Sequence, residues 1–181
     1  MDFLEQFDQI DLILFSLASL GTLGFVDEYF FHYKKDQILK RPECFKENIL
    51  HVIRLFTFSL IFFFSSAVKL EGYFCIIPLA LISLDLIVSI LDIVEEKKSR
   101  LKLGGLSTPE YFIHMSLSFH LGILYFNFIP YFFKQISYPN KISLNNMVDA
   151  PDLNIIVFIF SILSILYFFY QIKQLFHFKN N

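Results

Sequence analysis

The chain has 181 residues, of which 55% are hydrophobic, and it contains 25 Phe and no Trp. A soluble domain of this length could not bury so much apolar surface, and the mean hydropathy of +0.56 indicates an integral membrane protein. The formal net charge of −2 gives no reason to expect a nucleic-acid partner.

Five apolar stretches are long enough, or nearly so, to cross the roughly 30 Å hydrocarbon layer as helices of about 20 residues. They run approximately over residues 10–31, 48–68, 73–94, 110–133 and 153–175. We therefore predict an all-α polytopic membrane bundle that forms a single domain over residues 1–181. Its parts are a first hairpin over residues 10–68, a second over 73–133 and an additional C-terminal span.

The distribution of basic residues predicts the orientation of the bundle. Loops one and three carry nine Lys and Arg residues, whereas the opposite side carries three. Because basic loops stay in the cytoplasm, we expect the N-terminus outside and the C-terminus in the cytoplasm. The expected location is the bacterial inner membrane, with lipid as the surrounding partner. The oligomeric state stays open.

Acidic residues and histidines cluster where the first two spans meet the first loop. Span one ends with Asp27, Glu28 and His32, and span two opens with Glu47 and His51. An i,i+4 spacing turns an α-helix by about 400°, so the Glu and His of each pair face the same side.

The second hairpin repeats this arrangement. Its helix ends carry Asp92, Glu95, Glu96, Glu110 and His114. Asp92 follows Asp27 by 65 residues, while Glu110 follows Glu47 by 63, and the same 63 residues separate His51 from His114. We therefore predict that spans one and two are duplicated as spans three and four in parallel orientation.

The four helix ends together have the ligands of a metal site. Carboxylate-bridged di-metal sites in four-helix bundles take a Glu from each of two helices and a Glu/His pair from each of the other two. We predict two divalent ions, with iron preferred and zinc or manganese as alternatives. The predicted ligands are Glu28, His32, Glu47, His51, Asp92, Glu95, Glu96, Glu110 and His114. The predicted supporting residues are Asp27, Arg54, Asp85, Arg100 and His120.

The supporting residues have separate expected roles. Arg54 and Asp85 could pair inside the bundle, because each lies seven residues from an acid at its helix end. Arg54 and Arg100 would compensate the charge of the carboxylates. His120 turns to another helix face, where it would contact the ligands only indirectly or pack.

A structural explanation competes with the metal site. Acidic residues commonly cap helices, and Ser107 with Glu110 forms a capping box that has Pro109 in the first helical turn. A lone histidine at a helix end is usually an interfacial residue. Three Glu-x-x-x-His pairs on converging helices are harder to explain in this way.

The paired pattern running from Asp27 to His114 resembles that of a group of uncharacterised bacterial polytopic membrane proteins. The resemblance covers about residues 27 to 120 and implies no activity. Histidine-box lipid desaturases need about eight histidines, whereas this chain has five. Glu95, Glu96 and Arg100 look like the Glu-Glu-x-x-x-Arg motif of intramembrane prenyl-protein proteases, but the Phe-x-x-x-His that should follow is absent at His114 and His120.

The sequence hypothesis is a membrane-embedded di-iron oxidoreductase that activates O₂ and acts on a lipid or other apolar substrate at the cytoplasmic side. Zinc-dependent hydrolysis at the same site is possible. The alternatives without catalysis are a divalent-cation or proton pathway and a structural membrane subunit. No catalytic residue is identified from the sequence.

Overall fold

The structure is a computed structural model that describes residues 9–144 and 151–179. Five helical segments in this part of the chain are long and apolar enough to cross a membrane: Gln9–Lys35, Pro42–Ser66, Gly72–Ser99, Thr108–Ile136 and Asp152–Phe176. This result confirms the predicted all-α membrane bundle. Most spans extend beyond their predicted limits, because the charged helix ends remain helical.

The long helices and strands follow one another in a simple order. They are α1 (Gln9–Val26), α2 (Phe45–Ser66), β1 (Val68–Glu71), α3 (Ile76–Ser99), α4 (Thr108–Ile136), β2 (Lys141–Leu144) and α5 (Pro151–Lys179). A π-helical segment continues α1 over Asp27–Lys35, and short 3-10 turns precede α2 and α3 and follow α3. Helices dominate because only they satisfy backbone hydrogen bonds within a single membrane-spanning segment.

The helices of the two predicted hairpins are interleaved. α1 packs mainly against α4, and α2 packs mainly against α3 and α5. The apolar core between them includes Leu17, Ile61, Phe128 and Val157, all fully buried. The predicted division into two hairpins and a fifth span stays a prediction, as does the internal repeat.

A small sheet closes the end of the bundle opposite the acidic helix ends. In the connections between the predicted spans, β1 and β2 pair as antiparallel strands, with Glu71 opposite Lys141. Gly72 has a φ of +67°, and a Cβ at this position would lie 2.1 Å from Asn140 Oδ1. The same Asn140 oxygen accepts a hydrogen bond from the Tyr73 N–H at 2.9 Å. Strand pairing satisfies the backbone N–H and C=O groups of the two connecting segments.

Candidate metal centre

The end of the first span forms a π-helix, which brings two acids to one histidine. His32 is only 2% exposed; its Nδ1 lies 3.5 Å from Glu28 Oε2 and its Nε2 lies 3.5 Å from Asp27 Oδ2. A π-helix closes i→i+5 hydrogen bonds, so Asp27 lies one turn before His32. In an α-helix only Glu28 would share its face, which is why the sequence predicted that pair alone.

Glu28, His32 and His51 form a compact group of possible ligand atoms. The two Nδ1 atoms are 3.1 Å apart, and they lie 3.5 and 3.8 Å from Glu28 Oε2. Tetrahedral ligands about 2.0–2.1 Å from a zinc ion would be about 3.3 Å from one another. The group therefore has the dimensions of a three-ligand site with a fourth position open.

Each histidine of this group has a carboxylate behind its other ring nitrogen. His51 Nε2 lies 3.2 Å from Asp92 Oδ1, as His32 Nε2 lies near Asp27. Metal-ligating histidines commonly have a carboxylate in this position, because it favours the proton on the far nitrogen. The two rings are stacked, with their centroids 4.6 Å apart and their planes 21° from parallel, and a cation or proton between the two Nδ1 atoms would remove the repulsion of their lone pairs.

Helix α5 fixes the carboxylate of Glu28. Tyr167 Oη and Gln171 Nε2 each donate a hydrogen bond to Glu28 Oε1 at 2.8 Å. The other oxygen, Oε2, is the one that faces the two histidines. The fifth span therefore contributes to the site, which the sequence analysis did not anticipate.

A second group of possible ligands adjoins the first. His32, Glu96, Glu110 and His114 can each offer one atom within 4.8 Å of the others. His114 Nδ1 lies 3.6 Å from Glu96 Oε2, and its Nε2 lies 3.3 Å from Asp27 Oδ2. Because a neutral imidazole has one lone pair, His32 can serve only one of the two groups at a time.

Glu110 is the weakest member of the second group. Its Oε2 accepts hydrogen bonds from Lys35 Nζ at 3.0 Å and from the Ser107 N–H at 3.2 Å, and its Oε1 lies 3.5 Å from Arg100 Nη1. The capping role expected for Glu110 is thus present. A metal ion at this carboxylate would have to coexist with two cations, so the first group is the better site.

Several buried atoms of the two groups and of the acids beside their histidines have no hydrogen bond of good geometry among the described residues. They are Asp27 Oδ1, His32 Nε2, Asp92 Oδ1, Glu96 Oε1 and Glu110 Oε1. Each such atom costs about 1–3 kcal/mol, and native proteins contain few of them. Glu96 Oε1 and Glu110 Oε1 belong to the second group, whereas none of the five is a ligand atom of the first group.

Glu47 belongs to an ion-pair network beside the candidate centre. It is fully buried and accepts hydrogen bonds from Arg100 Nη2 at 2.9 Å and Nε at 3.1 Å, as well as from the Ser99 hydroxyl. Arg100 also donates to Asp36. Burial alone would lower the pKa of Arg100, but the carboxylates of Glu47, Glu110 and Asp36 raise it above the usual value. The structure thus places Glu47, a predicted ligand, outside both groups.

The expected pair of Arg54 and Asp85 is present inside the bundle. Arg54 Nε lies 3.4 Å from Asp85 Oδ1, and Arg54 Nη1 donates to Asp92 Oδ2 at 3.1 Å. Tyr125 Oη donates to the other oxygen of Asp85 at 2.7 Å. These contacts extend the polar cluster from His51 toward the middle of the membrane span.

Two residues that the sequence predicted for the site lie elsewhere. Glu95 forms an exposed pair with Lys98 at 3.3 Å. His120 Nδ1 lies 2.8 Å from the Ser116 carbonyl oxygen, and its ring packs near Phe15 and Phe119. Neither residue belongs to a ligand group.

Five further residues contact the site or the ion pairs beside it and were not predicted from the sequence. They are Lys35, Asp36, Ser99, Tyr167 and Gln171. Lys35 precedes Arg100 by the same 65 residues that separate Asp27 from Asp92. Tyr167 and Gln171 are polar residues four positions apart on a mostly apolar span. Both patterns were visible in the sequence.

The fold and the site together define an integral membrane protein whose buried carboxylate/histidine groups could hold a metal ion. In comparisons with protein-family models, with curated proteins and with solved structures, no match to this chain was found.

Proposed function

We propose that this protein is a membrane-embedded metalloenzyme that binds a divalent ion at Glu28, His32 and His51 and acts on a lipid or other apolar substrate. The observation that carries the proposal is the geometry of these three residues. Three ligand atoms converge from two helices at separations near those of a tetrahedral site, and one position is left for water or substrate.

The neighbouring cavity supports a reaction rather than purely structural metal binding. A cavity of about 1480 Å³ contains the three ligands in its wall and continues along apolar side chains such as Phe58, Phe62 and Phe160. Enzyme sites combine a mostly apolar pocket with a few converging polar groups. A metal ion at this position could polarise a substrate group or activate a bound small molecule.

A di-iron oxidoreductase is the more specific form of the proposal. It needs a second metal ion, which Glu96 and His114 of the adjoining group of ligands would bind. The mixed carboxylate and imidazole donors suit iron, and iron would supply the chemistry of O₂ activation. In this form Glu110 would exchange contacts with Lys35 and Arg100 for contact with the metal.

A cation or proton pathway is the second candidate. The chain of contacts from His51 through Asp92, Arg54 and Asp85 to Tyr125 favours it, because ionisable groups within a membrane span often mark an ion route. A pathway would bind its cation weakly and exchange it, whereas a metalloenzyme would retain its ion through purification.

Metal analysis of protein purified without chelators tests the proposal. We expect at least one tightly held ion per chain, which is lost in His51→Ala and kept in His120→Ala, a histidine outside both ligand groups. Two irons per chain, with loss of the second in His114→Ala, would support the oxidoreductase form, and O₂ consumption would then be measured with lipid present.

Other results would reject the metalloenzyme. If the native protein holds no metal, or if His51→Ala retains all of it, the helix ends are structural. Rapidly exchanging metal with measurable flux into vesicles would favour the pathway instead.

A further inference from the structure

The large cavity has two chemically different ends. The polar end contains the ligand residues Glu28, His32 and His51. The remainder is lined mainly by apolar side chains of α1, α2, α4 and α5, among them Leu20, Leu55, Phe58, Phe62, Leu117, Leu121, Phe160 and Leu163. A fully polar ligand would make no favourable apolar contacts with this second part of the wall.

The depth of the cavity, measured from its polar end, corresponds to one leaflet of a bilayer. In α2, His51 and Phe62 both line the cavity and are 11 residues apart. At about 1.5 Å per residue, this is roughly 16 Å along the helix. Half of a hydrocarbon core of about 30 Å is about 15 Å, so an acyl chain of one leaflet matches this depth.

The cavity also has an apolar opening at the side of the bundle. The exposed residues of its wall include Ile93 on α3, Leu101 in the following turn, and Tyr111 and Met115 on α4. α3 and α4 make few contacts with each other compared with α1 and α4. A hydrocarbon chain could therefore enter the cavity between these two helices.

We propose that the cavity binds a single-chain lipid amphiphile, such as a fatty acid, with its hydrocarbon chain along α2 and its polar head at the metal ligands. This inference rests on the proposed function for the role of the head group and deepens it by naming the substrate class. The chain-binding part depends only on the cavity and is tested separately from metal binding.

Two glycines provide a matched pair of variants for the test. Gly24 lines the cavity, whereas Gly122 on α4 does not. A Cβ added at either position meets no atom within 4 Å. Gly24→Leu would therefore fill part of the cavity, and Gly122→Leu adds the same side chain outside it. Both changes favour helix by a similar amount.

The absence of Trp from the chain permits a direct measurement of binding. A single Trp is introduced by Phe58→Trp in the cavity wall, or by Phe126→Trp at a side chain that is 81% exposed. Detergent-solubilised protein is titrated with palmitic acid brominated near its tail, which quenches Trp on contact. We expect saturable quenching for Phe58→Trp and only linear quenching, from partition into the micelle, for Phe126→Trp. Gly24→Leu should abolish the saturable part, and Gly122→Leu should leave it unchanged.

The proposal is overturned if Phe58→Trp is quenched only linearly, or if Gly24→Leu leaves its saturable quenching intact. If Phe58→Trp does not fold, fatty-acyl chains that co-purify with the Trp-free variants are measured by mass spectrometry. Loss in Gly24→Leu alone supports the proposal, and equal amounts in both glycine variants reject it. Metal content is measured on every sample, so failure of the metal site and failure of chain binding are recognised independently.

Discussion

Residues 27–35 and 92–100 end the first and the third membrane span, and their charged residues make matching contacts. Asp27 Oδ2 lies 3.3 Å from His114 Nε2, and Asp92 Oδ1 lies 3.2 Å from His51 Nε2. Lys35 pairs with Glu110 at 3.0 Å, and Arg100 pairs with Glu47 at 2.9 Å. In each case a helix end of one predicted hairpin contacts the first turns of a helix from the other.

The two segments differ at the positions that could bind metal. Glu28 and His32 of the first segment correspond, 65 residues later, to Ile93 and Lys97. Both of these later residues are exposed at the cavity wall. A frame of ion pairs is thus common to both segments, whereas the ligand pair belongs to the first alone.

The largest effect is expected from the buried ion pair of the frame. Arg100→Met leaves Glu47 buried without its cation, and breaking such a pair costs about 3–5 kcal/mol. Lys35 is half exposed, and Glu110 keeps Arg100 nearby, so Lys35→Met should cost no more than about 1 kcal/mol. The free energy of unfolding, measured by adding SDS to detergent-solubilised protein, compares the two variants. If the two variants lose the same free energy of unfolding, the Arg100 pair is not more deeply buried than the Lys35 pair.

The next effect concerns the ligand pair itself. His32→Ala should weaken metal binding by more than roughly 100-fold. Loss of a residue that only hydrogen-bonds to a metal ligand weakens binding by at most about 100-fold, so a larger effect identifies His32 as a ligand. Lys97→Ala, the corresponding change in the second segment, should leave affinity unchanged. Competition with a chelator of known affinity gives both values. If the lysine variant loses as much affinity as the histidine variant, the ligand pair is not confined to the first segment.

The acids behind the ligand histidines should have a smaller effect that is shared by both segments. Asp27→Asn and Asp92→Asn each remove the charge beside the Nε2 atom of His32 or His51, and we expect each to lower metal affinity by about 10- to 100-fold. The exposed Asp152→Asn on α5 serves as the control in the same chelator competition. An effect in only one of the two variants would contradict a shared role for these acids.

The smallest effect is expected from an exposed pair at the opposite end of the bundle. This pair consists of Lys69 and Glu71. The hydrogen bond between their side chains raises the pKa of Lys69 above the usual 10.5. The stabilisation is present at neutral pH and is lost as the pH rises through that raised pKa. Because the pair is exposed, Lys69→Met should change the free energy of unfolding by about 1 kcal/mol or less near neutral pH. The native and variant proteins should become equal in stability at a pH well above 10.5. A difference that persists there would show that packing, not charge, is responsible.

Much of the candidate site was accessible from spacing alone. The Glu28 and His32 pair, the neighbouring His51, and Asp92 were predicted because acids and histidines recur at helix ends, where the spans return to one face. The i,i+4 rule failed to include Asp27 as a neighbour of His32, because it assumes α-helical geometry and the segment is a π-helix. The same rule grouped Glu47 with the ligands, because no residue near Glu47 in the sequence indicates that its carboxylate pairs with Arg100.

The sequence by itself determined the membrane class and the five spans, because these depend on runs of apolar residues whose length must match the bilayer. Its charge distribution also predicts the orientation, which stays a prediction. Only the tertiary structure decided which acids face His32 and His51 and which are neutralised by Lys35 and Arg100. The physical reason is that most of the partners lie on different helices, so their distances depend on how α1 to α5 pack and not on spacing along one helix. Asp27 shares a segment with His32 and approaches it because that segment is a π-helix. The same packing creates the cavity, since the space between five helices has no signature in the sequence of any one of them.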